Sequence, residues 1–147
     1  MKLFSLTDFL RESLRIEGIH RDPTPQELEA TREFLRAEQL SVVRIKALVA
    51  VYAPHARLRD KKGLNVRVGN HIPPPGGPEI KERLEVFCDG VDGGIWNAYE
   101  GHLVYETLHP FTDGNGRSGR AIWLWQMREA PLGFLHHFYY QTLQAKR

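Results

Sequence analysis

The segment from His109 to Arg120, reading His-Pro-Phe-Thr-Asp-Gly-Asn-Gly-Arg-Ser-Gly-Arg, concentrates the chemistry of this chain between two apolar helical segments. Pro110 biases His109 away from helical dihedrals, which ends the helix before it and leaves an imidazole at a helix terminus facing a loop. Gly114 and Gly116 flank Asn115, so backbone N–H groups can converge into an anion nest where the next helix begins, and such a helix start attracts phosphate. Arg117 and Arg120 lie three apart in the first turns of that helix, close enough for both guanidinium groups to reach one ligand. Asp113 adds one hard carboxylate, and Mg²⁺ needs only one or two of these when substrate phosphates and water complete its shell. Together these residues read as a polyphosphate site with a base beside it. A Walker A reading of Gly114 to Ala121 fails, because Arg120 replaces the lysine, Ala121 replaces the hydroxyl ligand and no strand precedes. An EF-hand beginning at Asp113 fails because Ser118 stands where that loop requires glycine.

The same stretch resembles the signature of the Fic-domain family, His-Pro-Phe-x-(Asp/Glu)-Gly-Asn-Gly-Arg-x-x-Arg, with every fixed position present from His109 to Arg120. The resemblance extends from about Gly63 to the end of the chain and implies a helical core with a β-hairpin flap. Known members mostly transfer AMP from ATP to a Tyr, Ser or Thr hydroxyl of a target protein. Carried over, His109 would be the general base and Asp113 would hold Mg²⁺ at the α- and β-phosphates. Asn115 and the amides around Gly114 and Gly116 would stabilise developing charge. Arg117 would bind the β-phosphate region and Arg120 the γ-phosphate, with Gly119 part of the same phosphate-binding run. Members of the Doc type, which phosphorylate, have Lys at the position of Gly116, so the resemblance favours AMP transfer. The implied flap, about 63–72, would dock the target through Val66, Arg67, Val68, Gly69, Asn70, His71 and Ile72 by adding an extended strand; Leu64 stands where that flap often has an aromatic.

A second family pattern, (Ser/Thr)-x-x-x-Glu-(Gly/Asn), is matched by Ser13, Glu17 and Gly18, and marks an inhibitory helix, here at the N-terminal side of the core. Glu17 could pair bidentately with Arg120 and take the place of the γ-phosphate. In some members the equivalent Glu instead positions a water that removes AMP from the target. A de-AMPylating hydrolase therefore stays open beside an autoinhibited adenylyltransferase, as does a module that holds nucleotide or partner without turnover.

The elements that must position these groups are mostly helical. Helices are predicted over about 6–17, 25–37, 41–53, 78–88, 95–108, 116–128 and 131–145. The firmest start is Thr24-Pro25-Gln26-Glu27, a capping box with proline in the first turn. The segment 95–108 is apolar around most of its circumference and is expected to be the central helix. Phe134, Phe138, Tyr139, Trp123 and Trp125 are assigned to core packing, as is Trp96, and Cys88 to a buried helical position. Between Gly63 and Ile72, Leu64, Val66 and Val68 alternate with polar residues, a strand period, and Pro73-Pro74-Pro75 then ends regular structure. The architecture expected is one all-α, Fic-type helical bundle over residues 1–147 with a small β-hairpin flap.

Composition sets the remaining bounds. The 147 residues carry 20 basic and 18 acidic side chains, a formal charge of +2 that provides no strong field for nucleic acid or anionic lipid. The dense run Arg57 to Lys62 reads as a solvated loop. The longest apolar run, Ala47 to Ala53, is too short for a membrane span, and the N-terminus has too short an apolar stretch for a secretory signal. One cysteine permits no internal disulfide, and His102, His136 and His137 lack a zinc-ligand pattern, so a cytoplasmic protein is expected. The partners implied are ATP with Mg²⁺ and a hydroxyl-bearing target protein; a homo-oligomer is left open.

Overall fold

The structure, a computed structural model, describes residues 5–128. Among these, the helices in chain order are α1 Leu6–Ile16, α2 Pro25–Leu35, α3 Val42–Tyr52, α4 Pro78–Asp92, α5 Ala98–Leu108 and α6 Asn115–Met127. The predicted helix 131–145, with Phe134, Phe138 and Tyr139, lies outside the described residues. Four helices begin on a side-chain cap: Ser5, Thr24, Ser41 and Asn97 each accept the amide of the residue three positions on. Thr24 and Glu27 close the predicted capping box, with Pro25 in the first turn.

Two boundaries differ from expectation. α4 continues past Cys88 to Asp92, because Gly90 leaves room for the indole of Trp96; a Cβ there would stand 2.5 Å from Trp96 Cζ3. α5 starts at Ala98 rather than Ile95, since Asn97 and Glu100 form a second capping box; Ile95 lies outside the helix and is 70% exposed. The central helix is also not the one expected. α5 leaves Leu103 43% exposed, whereas α6 buries nine of its thirteen residues and packs against α1, α2, α3 and α5. Phe9 of α1 stacks on Trp123 of α6 at 6.3 Å, Trp125 Nε1 donates to the Ala37 carbonyl after α2, and Cys88 is buried. Trp96 is only half-buried, stacked on Phe87.

The fold is all-α, and the predicted β-hairpin flap is reduced to a single antiparallel bridge between Val68 and His71, closed by two 2.9 Å backbone hydrogen bonds around Gly69-Asn70. Gly69 has φ +59°, as a two-residue hairpin turn with glycine first requires. In that register the next hydrogen-bonded pair outward would be Val66 with Pro73. A proline nitrogen has no hydrogen to give, so the ladder stops.

The run Arg57 to Lys62 is not simply a solvated loop. Arg59 is fully buried: its Nε donates to the His109 carbonyl (2.7 Å), Nη1 to those of Leu64 and Pro74, and Nη2 to that of Leu108 (2.9 Å). Its backbone N–H reaches the Pro110 carbonyl, beside an antiparallel bridge between Leu58 and Phe111. One buried guanidinium thus fastens the end of α5, the loop after it and the flap region to one another. No helix among the described residues is long and apolar enough to cross a membrane.

Candidate active site

His109 terminates α5 in the left-handed conformation (φ 50°, ψ 62°), one of two non-glycine residues with positive φ among those described. For a residue with a Cβ this backbone costs about 1–2 kcal/mol, and here Pro110 forbids the helical alternative while Arg59 clamps the His109 carbonyl. The imidazole Nδ1 lies 3.2 Å from the Glu106 carbonyl. A carbonyl can only accept, so Nδ1 carries the hydrogen and Nε2 keeps its lone pair. Burial lowers the His109 pKa below the usual histidine value, against the opposing hydrogen bond to Glu106, with Arg59 and His71 lowering it further. At neutral pH the ring is an uncharged base.

The loop after His109 is shaped by Asn115. Its Oδ1 accepts the Phe111 N–H (2.9 Å) and its Nδ2 donates to the Phe111 carbonyl (2.8 Å), so its side chain holds the turn. Gly114 caps α6 at φ +78°, packed against Ala53 and Val49, and no side chain caps the helix. The first amides of α6 are therefore open donors carrying the positive end of the helix dipole. Asp113 Oδ1 accepts the Gly114 N–H (2.7 Å), which orients its carboxylate at the same rim.

These groups line one cavity of about 280 Å³, which brings His109, Asp113, Gly114, Asn115, Gly116, Arg117 and Arg120 together with Glu17. Gly119 is not among them. It faces α5, where a Cβ would meet Tyr105, Glu106 and His102 at 3.1–3.3 Å, so this glycine sets the spacing of two helices rather than contacting phosphate. Arg117 lines the cavity but is tethered, with Nη1 donating to the Tyr52 carbonyl at the end of α3 (2.7 Å).

Arg120 is 1% exposed, and every hydrogen bond of its side chain runs to α1 and its C-cap: Nε to Ser13 Oγ (2.7 Å), Nη2 to the Ser13 carbonyl (2.9 Å) and to Glu17 Oε2 (2.7 Å). The pair with Glu17 uses a single carboxylate oxygen. The bidentate arrangement anticipated from the sequence gives way to one in which Ser13 takes Nε and shares Nη2 with Glu17. Glu17 is presented by the helix end itself. Gly18, at φ +78°, donates to the Arg15 carbonyl and Ile19 to that of Leu14, the paired bonds of a Schellman terminus. Gly116 lets the carboxylate lie across the start of α6, because a Cβ there would stand 2.5 Å from Glu17 Oε2.

The flap residues Val66 to Ile72 lie outside this cavity's lining. His71 Nε2 contacts the Thr107 carbonyl (2.9 Å), which pins the turn to the last turn of α5, and Arg67 Nε closes on the Gly69 carbonyl. Two groups at the site were not anticipated. Arg59 has no signal in the sequence, since only the fold gathers its four carbonyls. Glu106 had one, a carboxylate in a segment that is apolar around most of its circumference. It is buried in the cavity wall, and burial pushes its pKa up to about 7, with Arg120 opposing and Glu17 adding to the rise.

Residues 37–127, more than half of the chain, match the Fic/DOC family. The chain belongs to the Fic/DOC family. The match starts earlier than Gly63, taking in α3 as well as α4 to α6, and leaves α1 and its Glu17 outside. Comparison with curated proteins finds no match. Fic/DOC proteins commonly transfer nucleotide or phosphate-containing groups to proteins, and a base at the mouth of an uncapped helix start is what such transfer needs.

Proposed function

We propose that this chain is an autoinhibited protein adenylyltransferase that moves AMP from ATP to a Tyr, Ser or Thr hydroxyl of a target protein. The observation that carries the reading is the imidazole of His109, whose Nδ1 is held by the Glu106 carbonyl, at a cavity shared with the uncapped start of α6. Nε2 takes the proton from the incoming hydroxyl as its oxygen attacks the α-phosphorus, and the bond to the β-phosphate oxygen breaks to release pyrophosphate. The open amides of α6 stabilise the charge that builds on the phosphate oxygens, and Arg117 and Arg120 hold the β- and γ-phosphates. Gly116, rather than lysine, supports AMP transfer over phosphorylation.

The donor set at the rim suits Mg²⁺. Asp113 offers one carboxylate, and no group of three or more His, Cys, Asp or Glu side chains forms a metal cage among the described residues, so the ion would be shared with substrate phosphates. Its contribution would be neutralising charge on the α- and β-phosphates. The target would dock by extending along the flap edge near Val66 to Val68, which His71 holds against α5.

Glu17 keeps the enzyme silent in this reading. It occupies the guanidinium that the γ-phosphate needs, with Ser13 bound beside it at Nε and Nη2. A second reading has a specific observation in its favour: Glu17 lies in the same cavity as His109, where its carboxylate could also orient a water for AMP removal. A module that holds nucleotide without turnover is the third.

The test is incubation of lysate with Mg²⁺ and ATP labelled at either the α- or the γ-phosphate, using the natural chain, Glu17→Gly, and Glu17→Gly with His109→Ala. Label entering protein from the α-position alone, increased by Glu17→Gly and reduced about 10²–10⁴-fold by the His109 change, is the expected result. Label from the γ-position would mean phosphorylation. No label in any variant, with AMP released from a pre-modified target only when Glu17 is present, would make the chain a hydrolase.

A further inference from the structure

One side chain in the wall of the phosphate cavity has no part in the chemistry above. Glu106 sits on α5 three residues before His109, is 6% exposed, and has its Oε1 buried with no hydrogen-bond partner among the described residues. It lines the cavity beside Glu17 and Arg120. Gly119 gives the carboxyl its room, since a Cβ there would stand 3.2 Å from Oε1. The charged and titratable groups around it are Arg120 of α6, Glu17 at the end of α1, and His102, Tyr105 and His109 of α5 itself. Of these, Arg120 is bound at Nε and Nη2 by Ser13 and Glu17 while α1 is in place.

An orphaned buried oxygen costs about 1–3 kcal/mol, and the carboxyl that carries it belongs to a residue lining a cavity whose other groups suit anions. As an anion Glu106 would repel phosphate; as a neutral acid it is a hydrogen-bond donor in search of an acceptor. We propose that Glu106 is a further ligand-contacting group of this site, its carboxyl O–H donating to the phosphate oxygen that takes the place of the Glu17 carboxylate beside Arg120. The proposal rests on the reading that the cavity takes a polyphosphate. Burial, which pushes the Glu106 pKa to about 7, keeps a large share of the acid form at neutral pH. A carboxylic acid held neutral so that it can donate is a known device of anion-stabilising sites.

The test is calorimetric titration of ATP into Glu17→Gly, and into Glu17→Gly carrying Glu106→Gln or Glu106→Met, from pH 6 to 8.5 with Mg²⁺ in excess so that the terminal phosphate stays ionised. Affinity of Glu17→Gly should fall by up to about tenfold per pH unit once the acid has ionised. Glu106→Gln, which keeps a donor that cannot ionise, should bind as well at pH 6 and lose that slope. Glu106→Met, which has no donor, should bind about tenfold more weakly or worse at pH 6. Ionisation of His109 affects all three proteins alike, so the difference between profiles isolates Glu106. A flat profile in Glu17→Gly overturns the proposal without any Glu106 variant, as do parallel slopes with and without Glu106→Gln, or absence of ATP binding at every pH. The expected contrast without protein labelling would retain Glu106 as a phosphate contact and sink the transferase reading. Labelling with pH-independent binding would do the reverse.

Discussion

At the scale of single residues, Arg59 and His109 are two ends of one arrangement. Left-handed backbone at His109 aims its imidazole, and the strain is held because the carbonyls of Leu108 and His109 both terminate on the same buried guanidinium. Removing that side chain strands four carbonyls, two of them at the end of α5. Arg59→Ala should therefore destabilise the protein by about 3 kcal/mol or more, measured by urea denaturation, and a loss below about 1 kcal/mol would show that water replaces the guanidinium. Arg59→Lys should fall between, because an ammonium cannot reach four acceptors arranged for a planar fork. Nothing in the sequence marks Arg59, which stands in a run of charges whose ordinary place is solvent. The base, the metal carboxylate, the glycine at φ +78° and the two arginines are legible because their chemistry depends on local order in the chain. Gly119 is not, because a helix repeats every 3.6 residues and the position before Arg120 turns away from the ligand.

At the scale of elements, the helix starts are the most readable feature wherever a side chain caps them, and Asn97-Ala98-Tyr99-Glu100 carries the same signal as Thr24 to Glu27. The apolar Ile95 and Trp96 draw the predicted boundary outward, although both precede the cap. Alternation alone predicts a hairpin at the flap, but the first of the three prolines already stands at the position where the ladder needs its next donor. α1 is the element whose sequence pattern matters most, since Ser13, Glu17 and Gly18 are one device: a serine and a glutamate on one guanidinium, and a glycine that turns the chain behind them. Gly18 has no atom within 4 Å of where a Cβ would lie, so an alanine there would suffer backbone strain alone, about 1 kcal/mol. That strain falls on the helix end that presents Glu17. Gly18→Ala should thus raise α-phosphate labelling severalfold over the natural chain while staying below Glu17→Gly. Labelling equal to that of the natural chain would mean that the helix end holds Glu17 without help from this turn.

At the scale of the whole molecule, α5 and α6 enclose two titratable groups whose shifts oppose each other. Burial and Arg120 lower the His102 pKa to about 4, and burial raises that of Glu106 to about 7. Between pH 4 and 6.5 the unfolded chain protonates His102 and the folded one does not, so this group makes stability rise with pH. Between pH 4.5 and 7 the folded chain keeps the Glu106 proton and the unfolded chain has lost it, so this group makes stability fall with pH. Each effect amounts to about 3 kcal/mol over its window, and from pH 4.5 to 6.5 the two slopes are equal and opposite. The pair should contribute almost no pH dependence in that range. Glu106→Gln removes the falling member, so its stability relative to the natural chain should climb with pH by roughly 1.4 kcal/mol per unit from 4.5 to 7. Urea denaturation of the two proteins at matched pH values measures that difference directly. A constant offset between them would mean that the Glu106 carboxyl ionises at the same pH folded and unfolded, and the neutral acid proposed at the phosphate cavity would lose its physical basis.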